Sequence, residues 1–171
     1  MDGNDYLFIL IAYIAAAAIK GLTGLGFSTA CLPIMALHLD LKIAIPLVII
    51  PSVVSNIAIM RQAGNFRSAL SKFYPLYLST IPGLFAGLFV LISINADAAK
   101  AILGLMLIMY SLWALTNMSF SLSPKWERTL KIPTGFLTGF VNGMTGSQVM
   151  PILPYLLSLN LNKKVFVQAI S

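Results

Sequence analysis

Long apolar runs, separated by short polar stretches, occupy the whole chain. Residues 6–39 are apolar almost throughout, interrupted only at Lys20-Gly21-Leu22-Thr23-Gly24-Leu25-Gly26. As one helix this stretch would measure about 50 Å at 1.5 Å per residue, well beyond a bilayer core of about 30 Å. The glycines Gly21, Gly24 and Gly26 also weaken a helix interior, because glycine loses the most backbone freedom on ordering. The pattern therefore predicts two half-length helices, 6–20 and 28–39, meeting at a non-helical turn. Further spans are predicted at 43–60, with Pro46 and Pro51 inside it, at 73–94, with Pro82, and at 98–116. Between them lie loops at 61–72, 95–97 and 117–131. The last apolar run, 132–159, is again broken by glycine, and Lys163, Lys164 and a short apolar tail follow. Within the 73–94 run, Gly83 and Gly87 stand four apart, a spacing that lets a neighbouring helix backbone come close.

Composition narrows the fold class. Of 171 residues, 58% are hydrophobic and only 9% charged. Soluble domains carry roughly a quarter charged residues, so this chain cannot cover a water-facing surface. The runs are too long for barrel strands, which would show short alternating segments. The reading is an all-α, polytopic transmembrane bundle with the lipid bilayer as its solvent.

The net charge of +6 changes the picture less than it first suggests. Nucleic-acid binding is excluded because the basic residues form no stripe and sit in short loops. If 6–39 is a hairpin returning to its own side, Arg61, Arg67, Lys72, Lys125, Arg128, Lys131, Lys163 and Lys164 share one side. The opposite side then keeps only Lys42 and Lys100, with Asp2, Asp5, Asp40 and Asp97. The bias of Lys and Arg toward cytoplasmic loops places the N-terminus outside. Asp2 and Asp5 stand where a secretory signal would carry positive charge. Cys31 is the only cysteine, so neither a disulfide nor a thiolate metal site is implied.

The two broken stretches resemble each other. Gly21-Leu22-Thr23-Gly24 returns as Gly143-Met144-Thr145-Gly146, and Pro33-Ile34-Met35-Ala36-Leu37 matches Pro154-Tyr155-Leu156-Leu157 if one residue is dropped. Ala17 corresponds to Gly139, and Gly135, Gly139 and Gly143 extend a ridge of small residues. An odd number of spans separates the copies, so the second enters from the opposite side. That is the layout of an inverted-topology repeat, in which glycine-broken half-helices build a central site. Residues 1–131 form the first repeat and 132–171 the start of the second.

The stretch Gly21-Leu22-Thr23-Gly24-Leu25-Gly26-Phe27 with Pro33 resembles the TauE/SafE sulfite exporter family. So does the run from Gly135 to Gly146 followed by Pro151, Pro154 and Lys163-Lys164. The resemblance covers essentially the whole chain and rests on the paired motifs. It implies a multi-pass protein of a bacterial inner (plasma) membrane, a transporter or permease of small sulfur-containing anions such as sulfite or sulfonates. Two departures stand out. Ser147, Gln148 and Val149 replace glycines common after the second motif, so substrate identity does not transfer. Family members also continue for two or three more helices, so the chain is expected to be a fragment or to be completed by a partner. That partner would be another copy or the missing C-terminal helices.

The site chemistry points to an anion. All five acids, Asp2, Asp5, Asp40, Asp97 and Glu127, lie outside the predicted spans. The one ionisable group inside them is Lys20. Burying that ammonium costs about 3 kcal/mol on insertion scales, which calls for a cavity or counter-ion. A helix restarting after Gly26 directs free N–H groups and its positive end into the break, with Ser28 and Thr29 able to cap it. The candidate substrate-binding residues are Lys20, Gly21, Thr23, Gly24, Gly26, Ser28 and Thr29 in the first copy. In the second they are Asn142, Gly143, Thr145, Gly146, Ser147 and Gln148. Lys20 aligns with Asn142. Two readings of Lys20 stand: it faces the anion, or it snorkels to an interface. Ser52, Ser55 and Asn56 share one face of the 43–60 helix and either line a path or bond a neighbouring helix. His38 reads as interfacial.

No metal or other cofactor is implied, and no glycine-rich stretch is followed by Lys-Ser or Lys-Thr, so no nucleotide loop drives transport. An intramembrane hydrolase would need a base near Ser147, and the only histidine, His38, belongs to the other copy. A non-transporting assembly subunit remains the second alternative.

Overall fold

The computed structural model describes residues 3–23, 26–64, 66–116, 122–147 and 150–170. The described residues form eight helices: α1 (Gly3–Thr23), α2 (Phe27–Ala36), α3 (Leu41–Ala63), α4 (Phe66–Ser93), α5 (Ala96–Leu115), α6 (Pro124–Thr145), α7 (Ile152–Leu157) and α8 (Lys163–Ile170). Four of them, α1, α3, α4 and α5, are long and apolar enough to cross a membrane. Exposed Ile43, Ile50, Val54 and Ile57 on α3, and Phe85, Phe89 and Ile92 on α4, give these helices apolar outer faces. Such faces suit lipid and not water.

Local signals set the boundaries. The Asp40 carboxylate accepts from Lys42 N at 2.9 Å and Asn95 Oδ1 from Ala98 N at 2.8 Å, so α3 and α5 start on side-chain caps. Gly64, at φ 67°, ends α3, a left-handed position that costs a residue with Cβ about 1–2 kcal/mol. Pro124 stands at the start of α6, where its missing N–H loses no helical bond.

Two expectations need correction. The loops 61–72 and 117–131 are largely helical: α3 runs to Ala63, α4 begins at Phe66 and α6 begins at Pro124. Lys and Arg are good helix formers, and charge density hid this from a hydropathy reading. The first arm is also not half-length. Helix α1 spans 21 residues, through Lys20 and Gly21 to Thr23, about 31 Å at the α-helical rise. One glycine in a helix costs about 1 kcal/mol, whereas a backbone group left unpaired in lipid costs several. The helix therefore continues past Gly21.

The connections sort to two ends. At one, Phe8 packs on His38 with ring centroids 4.0 Å apart, and Lys42 Nζ donates to Ile94 O (2.8 Å) and Ile92 O (3.3 Å). The chain from α1 to α2 is thus a hairpin that returns to its starting end. At the other end Glu127 sits 3.3 Å from Lys72 and 3.7 Å from Lys131, and Lys131 Nζ donates to Lys72 O at 3.0 Å. There too Tyr155 Oη donates to Glu127 O (2.9 Å) and Leu122 N to Ser158 O (3.1 Å). The chain from α6 to α7 is therefore a second hairpin, returning to the opposite end.

Helices α4 and α6 form the closest pair. A Cβ on Gly83 would overlap Phe136 O, on Gly87 Phe140 O, on Gly135 Leu76 O, on Gly139 Thr80 O and on Gly143 Leu84 O. The two small-residue ridges expected from sequence interlock with each other. On one flank of this seam a core of Ala12, Ala16, Cys31, Leu32, Met35, Ala44 and Val48 holds α1, α2 and α3 together. On the other, Phe73, Leu76, Ile152, Leu153, Leu156 and Ala169 join α4 to α7 and α8.

Packing between helices in lipid rests on such contacts, since apolar burial against lipid yields little. Gly139→Ala is expected to destabilise the protein by about 1–3 kcal/mol, the range for overpacking. Gly104, with no atom within 4 Å of an added Cβ, serves as the control. Gly104→Ala should be neutral or stabilising by up to about 1 kcal/mol. Thermal unfolding in detergent measures both, and equal behaviour of the two would remove the seam from the account.

Candidate functional site

The two hairpins meet inside the bundle. Helix α6 stops on the threonine of the repeated tetrapeptide, Thr145, and α1 is described through the equivalent Thr23. Gly146 follows at φ 69° and Gly26 precedes α2 at φ 80°, so each break uses a left-handed glycine. Thr29 Oγ1 and Ser147 Oγ lie 3.0 Å apart and share a hydrogen bond, joining the first break to the second. Around the second break the polar groups are paired. Gly146 N donates to Asn142 O at 2.7 Å, Thr145 Oγ1 donates to Val141 O at 2.7 Å and accepts from Ser147 N at 3.2 Å.

Beside this junction lies a cavity of about 330 Å³. Ser28 contributes from α2, Ser52 and Asn56 from α3, Leu84 and Leu88 from α4, and Asn142, Gly143 and Gly146 from the second break. Its polar groups are neutral hydroxyls, amides and glycine backbone, with no charged side chain among the described lining residues. Asn142 and Leu84 also line a second cavity of about 260 Å³, with Tyr77, Thr80, Thr138, Gly139 and Ile170. They form the partition between the two. Thr138 Oγ1 is buried without a hydrogen-bond partner among the described residues.

The sequence-predicted residues fall into distinct places. Ser28, Asn142, Gly143 and Gly146 line the larger cavity together. Thr29 and Ser147 join the breaks and line a pocket of about 10 Å³ behind them. Gly26 and Thr145 shape the turns. Ser28 and Thr29 do not cap α2, whose N-cap is Gly26 without a side-chain bond; Thr29 is engaged by Ser147 instead. Gly21 is exposed inside α1, with nothing within 4 Å of an added Cβ. Gly24, Gln148 and Val149 lie outside the described residues, as does the Thr23 side chain.

Lys20 lies in the last turn of α1. It is 6% exposed, and its Nζ donates to Ser55 Oγ at 3.0 Å and to Asn56 Oδ1 at 2.5 Å. It does not line the cavity directly; Asn56 does. Of the face formed by Ser52, Ser55 and Asn56, two residues line the cavity and two bond Lys20 of the neighbouring helix. Leu84, Leu88 and Thr138 were not legible as site residues, because nothing in an apolar run marks which side chains flank a void.

An all-helical bundle with four helices long and apolar enough to cross a membrane defines a multi-pass membrane protein. The sequence matches the Sulfite exporter TauE/SafE family over residues 8–171. The chain belongs to that family, whose members are membrane transporters of sulfur-containing anions. No curated protein and no solved structure matches it.

Proposed function

We propose that the chain is a secondary transporter or facilitator of small sulfur-containing oxyanions, sulfite- or sulfonate-like, and that the 330 Å³ cavity is where the anion binds. The observation that carries this reading is the cavity itself: it lies between two breaks, its polar lining is neutral, and the buried Lys20 ammonium stands one side chain behind it. A carboxylate in the lining would repel an anion, and a bare ammonium in it would hold one too long for turnover. A permeation site must bind well enough to admit its ion and weakly enough to release it. Neutral donors with a cation set back meet both demands.

The same reading treats the two hairpins as inverted repeats, each with a long arm ending on threonine, a left-handed glycine at the break and a short proline-containing return helix. The 260 Å³ cavity beyond Leu84 and Asn142 continues the path. Sequence offers no nucleotide loop, so an ion or substrate gradient drives the flux.

The orientation proposed is an external N-terminus, with the Lys- and Arg-rich end in the cytoplasm. Ser68 and Ser93, both exposed, lie near opposite ends of α4. In a Cys31→Ser background, Ser93→Cys should react from outside intact cells with an impermeant thiol reagent and Ser68→Cys should not. The reverse pattern rules the orientation out.

Transport is tested by sulfite uptake into liposomes holding the full chain. Uptake should exceed that of protein-free liposomes and saturate. Gly146→Val should lower it about tenfold, because a Cβ there meets Leu32 Cδ1 at 2.6 Å and the φ of 69° strains any side chain. Monodisperse protein that moves no sulfite and no sulfonate would leave the assembly-subunit reading in its place.

A further inference from the structure

We infer that Asn56 is the residue that meets the anion, and that Lys20 is a positioning residue acting through it. This rests on the transport reading above and adds to it a donor on α3, outside both broken segments.

The argument starts from what an ammonium can do. It carries three donors and no acceptor. Lys20 Nζ lies against Asn56 Oδ1 and Ser55 Oγ, so both of those oxygens must accept. For a hydroxyl this leaves the proton to spend, and Ser55 Oγ donates it to Ser52 O at 2.9 Å. Ser55 is thereby fully engaged within its own helix. For an amide, accepting at Oδ1 fixes the orientation of the whole group, an assignment otherwise ambiguous for asparagine. Turned the other way, Asn56 would set its NH₂ against the ammonium and aim an acceptor at the anion.

Asn56 therefore keeps two N–H donors on Nδ2. Among the described residues no hydrogen bond engages them, while Asn56 lines the cavity and Lys20 does not. The ammonium also polarises the amide it holds, and in a low-dielectric surrounding that strengthens the N–H donors. Positive charge reaches the cavity as a pair of oriented, polarised N–H groups. Two diverging donors suit an anion with more than one acceptor oxygen, which is the chemistry of sulfite and sulfonates.

Initial rates of sulfite uptake into liposomes, across sulfite concentrations and at equal protein, distinguish the roles. The proteins are the full chain, Asn56→Asp, Asn56→Ala, Lys20→Met, Lys20→Arg and the Lys20→Met/Asn56→Ala pair. Asn56→Asp keeps the shape and the bond to Lys20 but exchanges donors for acceptors. It should raise KM about tenfold or more, the loss expected for a charge-assisted contact. Lys20→Met should raise KM by a similar factor, Lys20→Arg should stay within about threefold because it keeps the charge, and the double variant should be no worse than the poorer single one. A purely structural Lys20 would lower Vmax or the yield of folded protein and leave KM alone. Wild-type KM in Asn56→Asp, or independent multiplying effects of the two truncations, overturns the inference while leaving the transport reading intact. A full chain that moves no sulfite overturns the transport reading, and this inference with it.

Discussion

A helix inside an apolar layer can stop only where protein covers its loose ends, and the fold is arranged around that constraint. Each unpaired backbone group in lipid costs several kcal/mol, and the break after α6 sits in the interior, between packed helices. Thr145, fully buried, bonds back to Val141 O and accepts from Ser147 N. Ser147 in turn meets Thr29 from the other hairpin. What brings α6 deep enough for this is the α4–α6 seam, where five glycines leave no room for a Cβ. The seam, the breaks and the cavity are consequences of one requirement: irregular backbone must be surrounded by protein.

Much of this architecture is legible in the residues. Apolar runs mark α3, α4 and α5, and the four-residue glycine spacings at Gly83/Gly87 and Gly135/Gly139/Gly143 mark the seam. The second Gly-x-Thr-Gly marks where α6 ends. Helix lengths depart from the hydropathy pattern for two opposite reasons. The charged turns at the start of α6 look like loop on a hydropathy scale though Lys, Arg and Glu favour helix. Conversely, Gly21 looks like a breaker, but in lipid the intact hydrogen-bond ladder outweighs its entropic cost. The candidate site was readable as a set of residues and not as a geometry. Alignment of the copies makes Lys20 and Asn142 equivalent positions but names no contact; in the fold Lys20 bonds Ser55 and Asn56. Which helix faces a given lysine depends on the packing of α1 against α3, and no local signal encodes that.

Placing the cation behind an amide also accounts for the absence of acids from the described cavity lining. Among the described residues Lys20 has no carboxylate partner; neutral oxygens from two α3 side chains carry its hydrogen bonds instead. An ion pair would cancel the field that an anion feels, while hydroxyl and amide partners satisfy the donors and leave the net charge in place. On the proposed reading, the expense of a buried ammonium without a counter-ion is offset by the attraction it exerts on the substrate.

The central claim is that the anion occupies the cavity between the two hairpins. Anomalous diffraction from crystals of the full chain soaked in selenite, the heavier analogue of sulfite, locates the bound anion directly. The account predicts a selenium peak within hydrogen-bonding reach of Asn56 Nδ2, between Ser28 and Asn142. A selenium peak elsewhere in the protein with this cavity unoccupied would contradict it.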